Sequence, residues 1–376
     1  TVCLGGLPKG RTTLVAGSAG SGKTLVAAQY LAEGIAKKGE PGVFVTFEES
    51  PEDLRSNLAS MGWDIPGWEA ASTWAFVDAS PQVAEMTTYV VGDFDMGALL
   101  ARIESAVQDI GATRVVLDTL GAVFTRFGDT AVIRNELFRI AKVLGQIGVT
   151  SLMTAERVDE YGPVSRVGVE DFVTDNVIIL RNALDEEKRR RTVEVLKFRG
   201  AQHQKGEFPF TILPGDGFVV IPLSEIELEY ESSDLRITSG SPELDQMCGG
   251  GFYRDSIVLV SGATGTGKTL MVTEFIAGGV ENDERCLLFA FEESQEQFFR
   301  NASGWGVDLR PMEKAGKLKV VCDYPEIAGL EDRLVRMRQV LEEDPLDPQS
   351  MANRLSDPKF REIAMKFNYA NMKGLN

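Results

Sequence analysis

Apolar runs that stop at a glycine or a carboxylate alternate along this chain with longer stretches of helical spacing. Leu14-Val15-Ala16 leads into the glycine-rich turn Gly17–Thr24, and a helix is predicted from Thr24 to about Ala36. A second apolar run, Val43-Phe44-Val45, ends in Glu48-Glu49, and another, Val115-Val116-Leu117, ends in Asp118. Part of this order returns late in the chain: a strand through Leu259-Val260, a turn at Gly262–Thr269, a helix from Thr269 to about Gly279, and an apolar run ending in Glu292-Glu293. Strands alternating with helices predict an α/β fold on a mostly parallel, doubly wound sheet. Near the C-terminus, Phe360, Ile363, Ala364 and Phe367 share one face of a candidate helix.

The return is a duplication. Lys23 and Lys268 stand 245 positions apart, and Glu48/Glu292, Gly62/Gly306 and Asp64/Asp308 each stand 244 apart. A period this long means two copies of one domain rather than a solenoid. The acidic, weakly periodic stretch Leu223–Ser241 reads as a linker. The expected organisation is a first domain over 1–222, a linker over 223–241, the start of a second domain over 242–340, and a helical segment over 341–376.

Composition narrows the class. The 376 residues suffice for two domains, and 43% hydrophobic with 25% charged positions fits a soluble globular chain. No run approaches the roughly 18 apolar residues of a membrane helix. The first residues lack the basic flank and apolar stretch of a signal peptide. A cytoplasmic protein with no membrane contact is therefore expected, and because position 1 is Thr the natural start is expected upstream. Cys3, Cys248, Cys286 and Cys322 lack C-x-x-C spacing, which predicts thiols in a reducing compartment rather than a metal or disulfide framework. The net charge of −17 argues against nucleic acid as a partner.

The chemistry sits in the turns. The pattern G-x-x-x-x-G-K-[ST] occurs at Gly17–Thr24 and Gly262–Thr269. Glycines allow backbone N–H groups to wrap phosphates at a helix N-terminus. Lys23 and Lys268 should reach the β/γ-phosphates of ATP, and the hydroxyls of Thr24 and Thr269 should bind Mg2+. Asp118, after its apolar strand, fits the magnesium carboxylate. The similar Asp323 does not: it lies as far from Lys268 as Asp78 lies from Lys23, so it pairs with Asp78. Glu48-Glu49 and Glu292-Glu293 should stand at the C-terminal edge of the sheet, where a carboxylate can orient water or hold Mg2+ through water. Neighbouring side chains at a strand end point opposite ways, so one of each pair should face the γ-phosphate. Lys188-Arg189-Arg190-Arg191, Lys197, Arg199 and Lys205 surround the only histidine, His203. A phosphate stabiliser for a neighbouring subunit, a solvated hairpin and a nucleic-acid contact all remain open for this basic group.

The strings Gly42–Glu49, Glu156–Pro163, Val173–Asn182, Gly249–Phe252 and Tyr324-Pro325-Glu326 resemble the KaiC family, the hexameric ATPase and autokinase of the cyanobacterial clock and its relatives in other bacteria. The resemblance runs from about Gly6 to about Asp332. It implies two RecA-like P-loop domains, with ATP held between neighbours of a six-membered ring. One face would supply Gly20, Ser21, Gly22, Lys23, Thr24, Leu25, Glu48, Glu49 and Ser60. The other would supply Lys197, Phe198, Arg199, His203 and Lys205. In the second copy it implies Thr264, Gly265, Thr266, Gly267, Lys268, Thr269 and Leu270 for phosphates, Glu292 and Glu293 for catalysis with Glu292 also serving the metal, and Trp305 near the base. It further implies slow hydrolysis by the N-terminal ring, Ser/Thr autophosphorylation by the C-terminal ring, and regulatory partners like KaiA or KaiB.

After about Met337 the family pattern is lost. Leu341–Pro345, Asp347-Pro348 and Asp357-Pro358 stand where a helix, a magnesium-Asp strand, a phosphorylated pair and a basic hairpin are expected. An incomplete second domain, with a stretch omitted near residue 340, is the reading this suggests; the alternative is a truncation or fusion whose tail is a partner-binding or oligomer-extending helix. The leading function is a KaiC-like ATPase and autokinase acting as a circadian or hourglass timer. The alternatives are a RecA/DnaB-like DNA motor and a non-enzymatic ATP-sensing scaffold.

Overall fold

The computed structural model describes residues 2–80, 96–121, 129–165, 168, 173–185, 188–221, 233–322 and 330–343. The chain separates into two compact units, Thr1–Pro222 and Leu223–Asn376.

The first unit is built on a nine-stranded sheet. Strands β1 (Thr12–Gly17), β2 (Gly42–Thr46), β3 (Trp74–Asp78), β4 (Arg114–Asp118), β5 (Thr150–Glu156) and β6 (Asn176–Asp185) run parallel. Strands β7 (Lys188–Phe198), β8 (Glu207–Leu213) and β9 (Gly217–Val220) extend the sheet in antiparallel fashion. The order is β3-β2-β4-β5-β1-β6-β7-β8-β9. From β1 the chain departs to β2 on one side, while β6 closes on the other. Such a reversal opens a crevice outside the carboxyl ends of the strands.

Both faces of the sheet are covered, which explains the continuous apolar runs. Leu14, Ala16, Val43, Val45, Val115 and Leu117 share one core with α4 (Met96–Ile110) and α5 (Thr130–Gln146). The intervening Val15, Phe44 and Val116 pack on the opposite face with α1 (Lys23–Lys38), α2 (Pro51–Leu58) and α3 (Ile65–Ala70). Alternation of period two thus places every other side chain in a different core. Trp74 on the edge strand is buried between Phe44 and Trp68, with ring centroids 6.1 Å from each.

The second unit repeats part of this plan. Strand β10 (Arg236–Ile237) pairs antiparallel with β11 (Phe252–Tyr253), and β12 (Cys286–Ala290) pairs parallel with β13 (Leu318–Cys322). The register Cys286↔Leu318 is Gly42↔Trp74 moved by 244 positions. Helices α6 (Pro242–Met247), α7 (Lys268–Glu281), α8 (Gln295–Gly304), α9 (Arg310–Lys314) and α10 (Leu330–Glu343) complete it. A small core joins Ile276, Phe298, Phe299, Ala302, Leu309 and Leu318.

Two expectations are corrected here. The strand expected through Leu259-Val260 is not formed: residues 256–263 are irregular, and Ile257, Val258 and Leu259 are 40%, 45% and 57% exposed. In the first unit β1 draws its hydrogen bonds from β5 and β6. Among its described residues the second unit has no counterpart of those strands, so the apolar run has nothing to pair with. Secondly, Arg236–Ile237 lies within the stretch read as a linker yet is paired, and Ser241 caps α6 by accepting from Leu244 N. A two-residue strand is too short to leave a periodic signal. Residues 222–232, Asp323 and the candidate helix at Phe360, Ile363, Ala364 and Phe367 lie outside the described residues.

Candidate nucleotide site

The first unit gathers its acids and its lysine at one edge. Gly17 ends β1 level with Glu156 on β5 and Leu180 on β6. Thr46 on β2 is level with Asp118 on β4, and Glu48-Glu49 follow two residues later. Helix α1 begins at Lys23 behind Gly22, which holds φ 90° and offers no side-chain cap. Helices α2, α3 and α5 are capped by Ser50, Asp64 and Asp129 respectively. The first turn of α1 therefore keeps its N–H groups for an anion, and the helix dipole favours one. Gly20, at φ 72°, gives the loop its second left-handed turn.

The loop is folded around one carbonyl. Lys23 Nζ donates to Ser18 O at 2.9 Å, and Ser21 Oγ donates to the same oxygen at 2.8 Å. Ser21 is buried, and Leu25 is half-buried in the first turn of α1. Asp118, only 7% exposed, accepts from the hydroxyls of Thr154 and Thr24. Its carboxyl is pushed above the ordinary range by burial, against which the two hydroxyls and Lys23 work. The peptide that follows it, Asp118–Thr119, is cis. Lys23 is lowered by burial, while Glu156, Asp118, Glu48 and Glu160 act to keep it charged. Glu48 is raised by partial burial, then by the nearby charges of Asp118 and Glu156.

The two adjacent glutamates stand in a bend just past β2 and make different contacts. Glu48 stands in the electrostatic field of Lys23 and Asp118. Glu49 turns toward α2 and accepts from Asn57 Nδ2 at 2.9 Å. Ser60 sits exposed on the short turn Ala59–Met61 after that helix. The second unit reproduces the arrangement: Glu293 accepts from Asn301 Nδ2 at 3.1 Å. Gly267 holds φ 91° with no side-chain cap on α7, and Lys268 Nζ donates to the carbonyls of Gly262 and Ala263. Thr264, Gly265 and Thr266 are exposed in the loop, with Thr269 and Leu270 in the first turn of α7. Glu292 is exposed, and Trp305 closes α8 at 43% exposure. Among the described residues of this unit no strand takes the place of β4, which carries Asp118 in the first.

The basic group does not meet its own loop as one cluster. Strands β6 and β7 form a hairpin that carries Lys188–Arg191 at the crevice edge, opposite Asn182–Asp185. Lys197 and Phe198 lie at the other end, paired with Val177 and Asn176. Since Leu180 on β6 is level with Gly17 and Thr13 with Asn176, that end is about four strand residues, or roughly 13 Å, from the P-loop edge. There Lys197 Nζ donates to Thr174 O at 2.7 Å, and Arg199 NH1 lies 3.7 Å from Asp175 Oδ1. His203 packs on the Phe198 ring at 5.9 Å, and Lys205 is exposed.

A family model described as "ATPase: KaiC" matches residues 1–225 and 237–359. The chain belongs to the KaiC family. Among its relatives, circadian clock protein KaiC3 of Synechocystis sp. (strain ATCC 27184 / PCC 6803 / Kazusa) is 61% identical over 365 residues, covering 96% of this chain and 72% of that protein. Circadian clock oscillator protein KaiC of Thermostichus vulcanus is 54% identical over 330 residues, covering 88% of this chain and 63% of its own length. The corresponding protein of Prochlorococcus marinus (strain MIT 9313) is 52% identical over 333 residues, with 89% and 66% covered. The chain thus spans about two thirds of the curated relatives it matches. The KaiC match runs on to residue 359, beyond the point near Met337 where the sequence pattern alone lost it.

Within this KaiC-family site, two acids carry no role in the sequence reading, Glu156 and Glu160. Glu156 ends the apolar strand β5 as Asp118 ends β4, a signal of the same kind. Glu160 lies four residues further on in an irregular loop, and nothing local marks it. Thr24 and Asp118 together offer Mg2+ two hard oxygen donors beside Lys23, a set that suits an ion which keeps several waters and takes phosphate oxygens. No group of three or more acid, His or Cys side chains among the described residues forms a metal cage. A P-loop site does not require one.

Proposed function

We propose that this chain is a KaiC-like ATP-binding protein whose first unit hydrolyses Mg-ATP in a ring of like subunits. The observation that supports it most directly is the meeting of an uncapped helix N-terminus, Lys23, the Thr24–Asp118 pair and Glu48 at one strand edge. The loop amides and Lys23 bind and orient the phosphates. Held by Thr24 and Asp118, Mg2+ would neutralise phosphate charge. Glu48 orients or deprotonates the attacking water, and Glu49 is held beside it by Asn57. Lys197, Arg199, His203 and Lys205, remote from their own loop, stabilise phosphate across a subunit boundary.

In the second unit, ATP binding at Thr264–Leu270 with Glu292 and Glu293 is supported by the repeated geometry. The names of the relatives support a circadian-type role. Hexamer formation, Ser/Thr autophosphorylation and KaiA-like or KaiB-like partners belong to the same reading. The test is phosphate release by a Glu48→Gln, Glu49→Gln variant. ATP binding is expected to remain while hydrolysis falls at least a hundredfold, the usual span of lost general base catalysis being about 10²–10⁴. Unchanged phosphate release overturns the assignment.

A further inference from the structure

We propose that Glu160 is a positioning residue that sets the first P-loop for ATP by fastening Ser18 to strand β6, a device the second loop lacks. This rests on the reading of Gly17–Thr24 as an ATP loop. Both oxygens of the Glu160 carboxylate are engaged. Oε1 accepts from Ser18 Oγ at 2.6 Å, and Oε2 accepts from the backbone N–H of Asn182 at 3.0 Å. The Glu160 carbonyl accepts from Arg181 Nε at 3.1 Å. Arg181, buried at 6% exposure, donates through NH2 to Glu194 on β7. Glu160 therefore stands on a fixed footing in the sheet rather than in a free loop.

What it holds is the residue on which the loop turns. The Ser18 carbonyl is the acceptor shared by Lys23 Nζ and Ser21 Oγ. Fixing the Ser18 side chain fixes that carbonyl, and with it the direction of the lysine before any phosphate arrives. A loop already in its binding shape loses less freedom on association. A hydrogen bond to an ionised carboxylate is among the stronger ones available for the purpose.

The duplication supplies an internal comparison. Position 18 of the first loop corresponds to Ala263 in the second, which has no hydroxyl. There Lys268 Nζ donates to two carbonyls, Gly262 O at 2.8 Å and Ala263 O at 2.9 Å, and the loop is exposed from Gly262 to Gly267. The second loop thus lacks the Ser18 hydroxyl, and among the described residues it also lacks the strands that flank the first loop.

The experiment uses the full chain carrying Lys268→Ala, so that only the first loop is read. It measures affinity for a fluorescent ATP analogue and steady-state phosphate release. Ser18→Ala and Glu160→Ala are each expected to weaken binding and raise KM by about tenfold, with kcat held within about twofold. The double variant is expected to be no weaker than Glu160→Ala alone, because the Ser18–Glu160 bond is already gone in that variant. Glu160→Gln, which keeps one acceptor oxygen, is expected to fall between wild type and Glu160→Ala. Wild-type affinity in Ser18→Ala, or losses that multiply in the double variant, overturns the proposal. Circular dichroism separates a misfolded Glu160→Ala, in which case the Ser18→Ala result decides. Absence of hydrolysis in the unsubstituted chain overturns the ATPase reading alone, since affinity still reads the fastening.

Discussion

At the residue scale the site is a set of acids sorted by where they stand around one lysine. Glu48 is raised because partial burial and the charges of Asp118 and Glu156 disfavour its ionised form. As the proposed base, Glu48 must be ionised to act. The rate is therefore expected to fall as pH drops, through a limb that lies above the ordinary glutamate value of about 4.3. Glu156→Gln removes one of the like charges, so the limb should move to lower pH. A profile of kcat against pH for wild type and Glu156→Gln checks this, and an unmoved limb counts against Glu48 as the titrating group. The place of Glu48 and Glu49 just past the end of β2 was legible from the apolar run before them. The parts played by Glu156 and Glu160 were not, because they arise from register between β1 and β5 and from a loop that returns to β6.

At the element scale the helices that open behind the two loops carry the same backbone device with different surroundings. Gly22 and Gly267 hold φ 90° and 91°. A Cβ at Gly22 would come within 2.9 Å of Ile212 Cδ1, whereas one at Gly267 meets nothing within 4 Å. Gly267→Ala should thus cost only the left-handed backbone strain, about 1–2 kcal/mol. Gly22→Ala should cost that and a displaced Ile212 in addition, so thermal unfolding should order the two with Gly22→Ala the worse. The edge strand β3 depends on Trp74, stacked on Phe44 and Trp68. Trp74→Ala should lower stability by about 3–5 kcal/mol in denaturant unfolding, with a loss below 1 kcal/mol arguing against that packing. Loops, helices and the Glu-pair strands were legible because their patterns are local. The strand through Leu259 was not, because a strand exists only where its partners do, and the apolar run does not encode them. The basic cluster, close in sequence, is divided between two sheet edges because β7 is one extended strand of 11 residues whose ends lie at opposite edges.

At the scale of the whole molecule, duplication produces two units of unequal standing. The first has a closed set: nine strands, two covered faces, and acids from β2, β4 and β5 converging on Lys23. The second repeats the loop, the uncapped helix, the β12–β13 register and the Glu293–Asn301 contact. Among its described residues it lacks the strands that would flank its loop and carry a magnesium acid. No helix of the described residues is long and apolar enough to cross a membrane. Hydrolysis is proposed to reside in the first unit, and phosphate release from Mg-ATP by Lys23→Ala and Lys268→Ala variants of this chain decides it. Hydrolysis is expected to be lost in Lys23→Ala and largely kept in Lys268→Ala. Retained hydrolysis in Lys23→Ala, with loss in Lys268→Ala, would contradict the account.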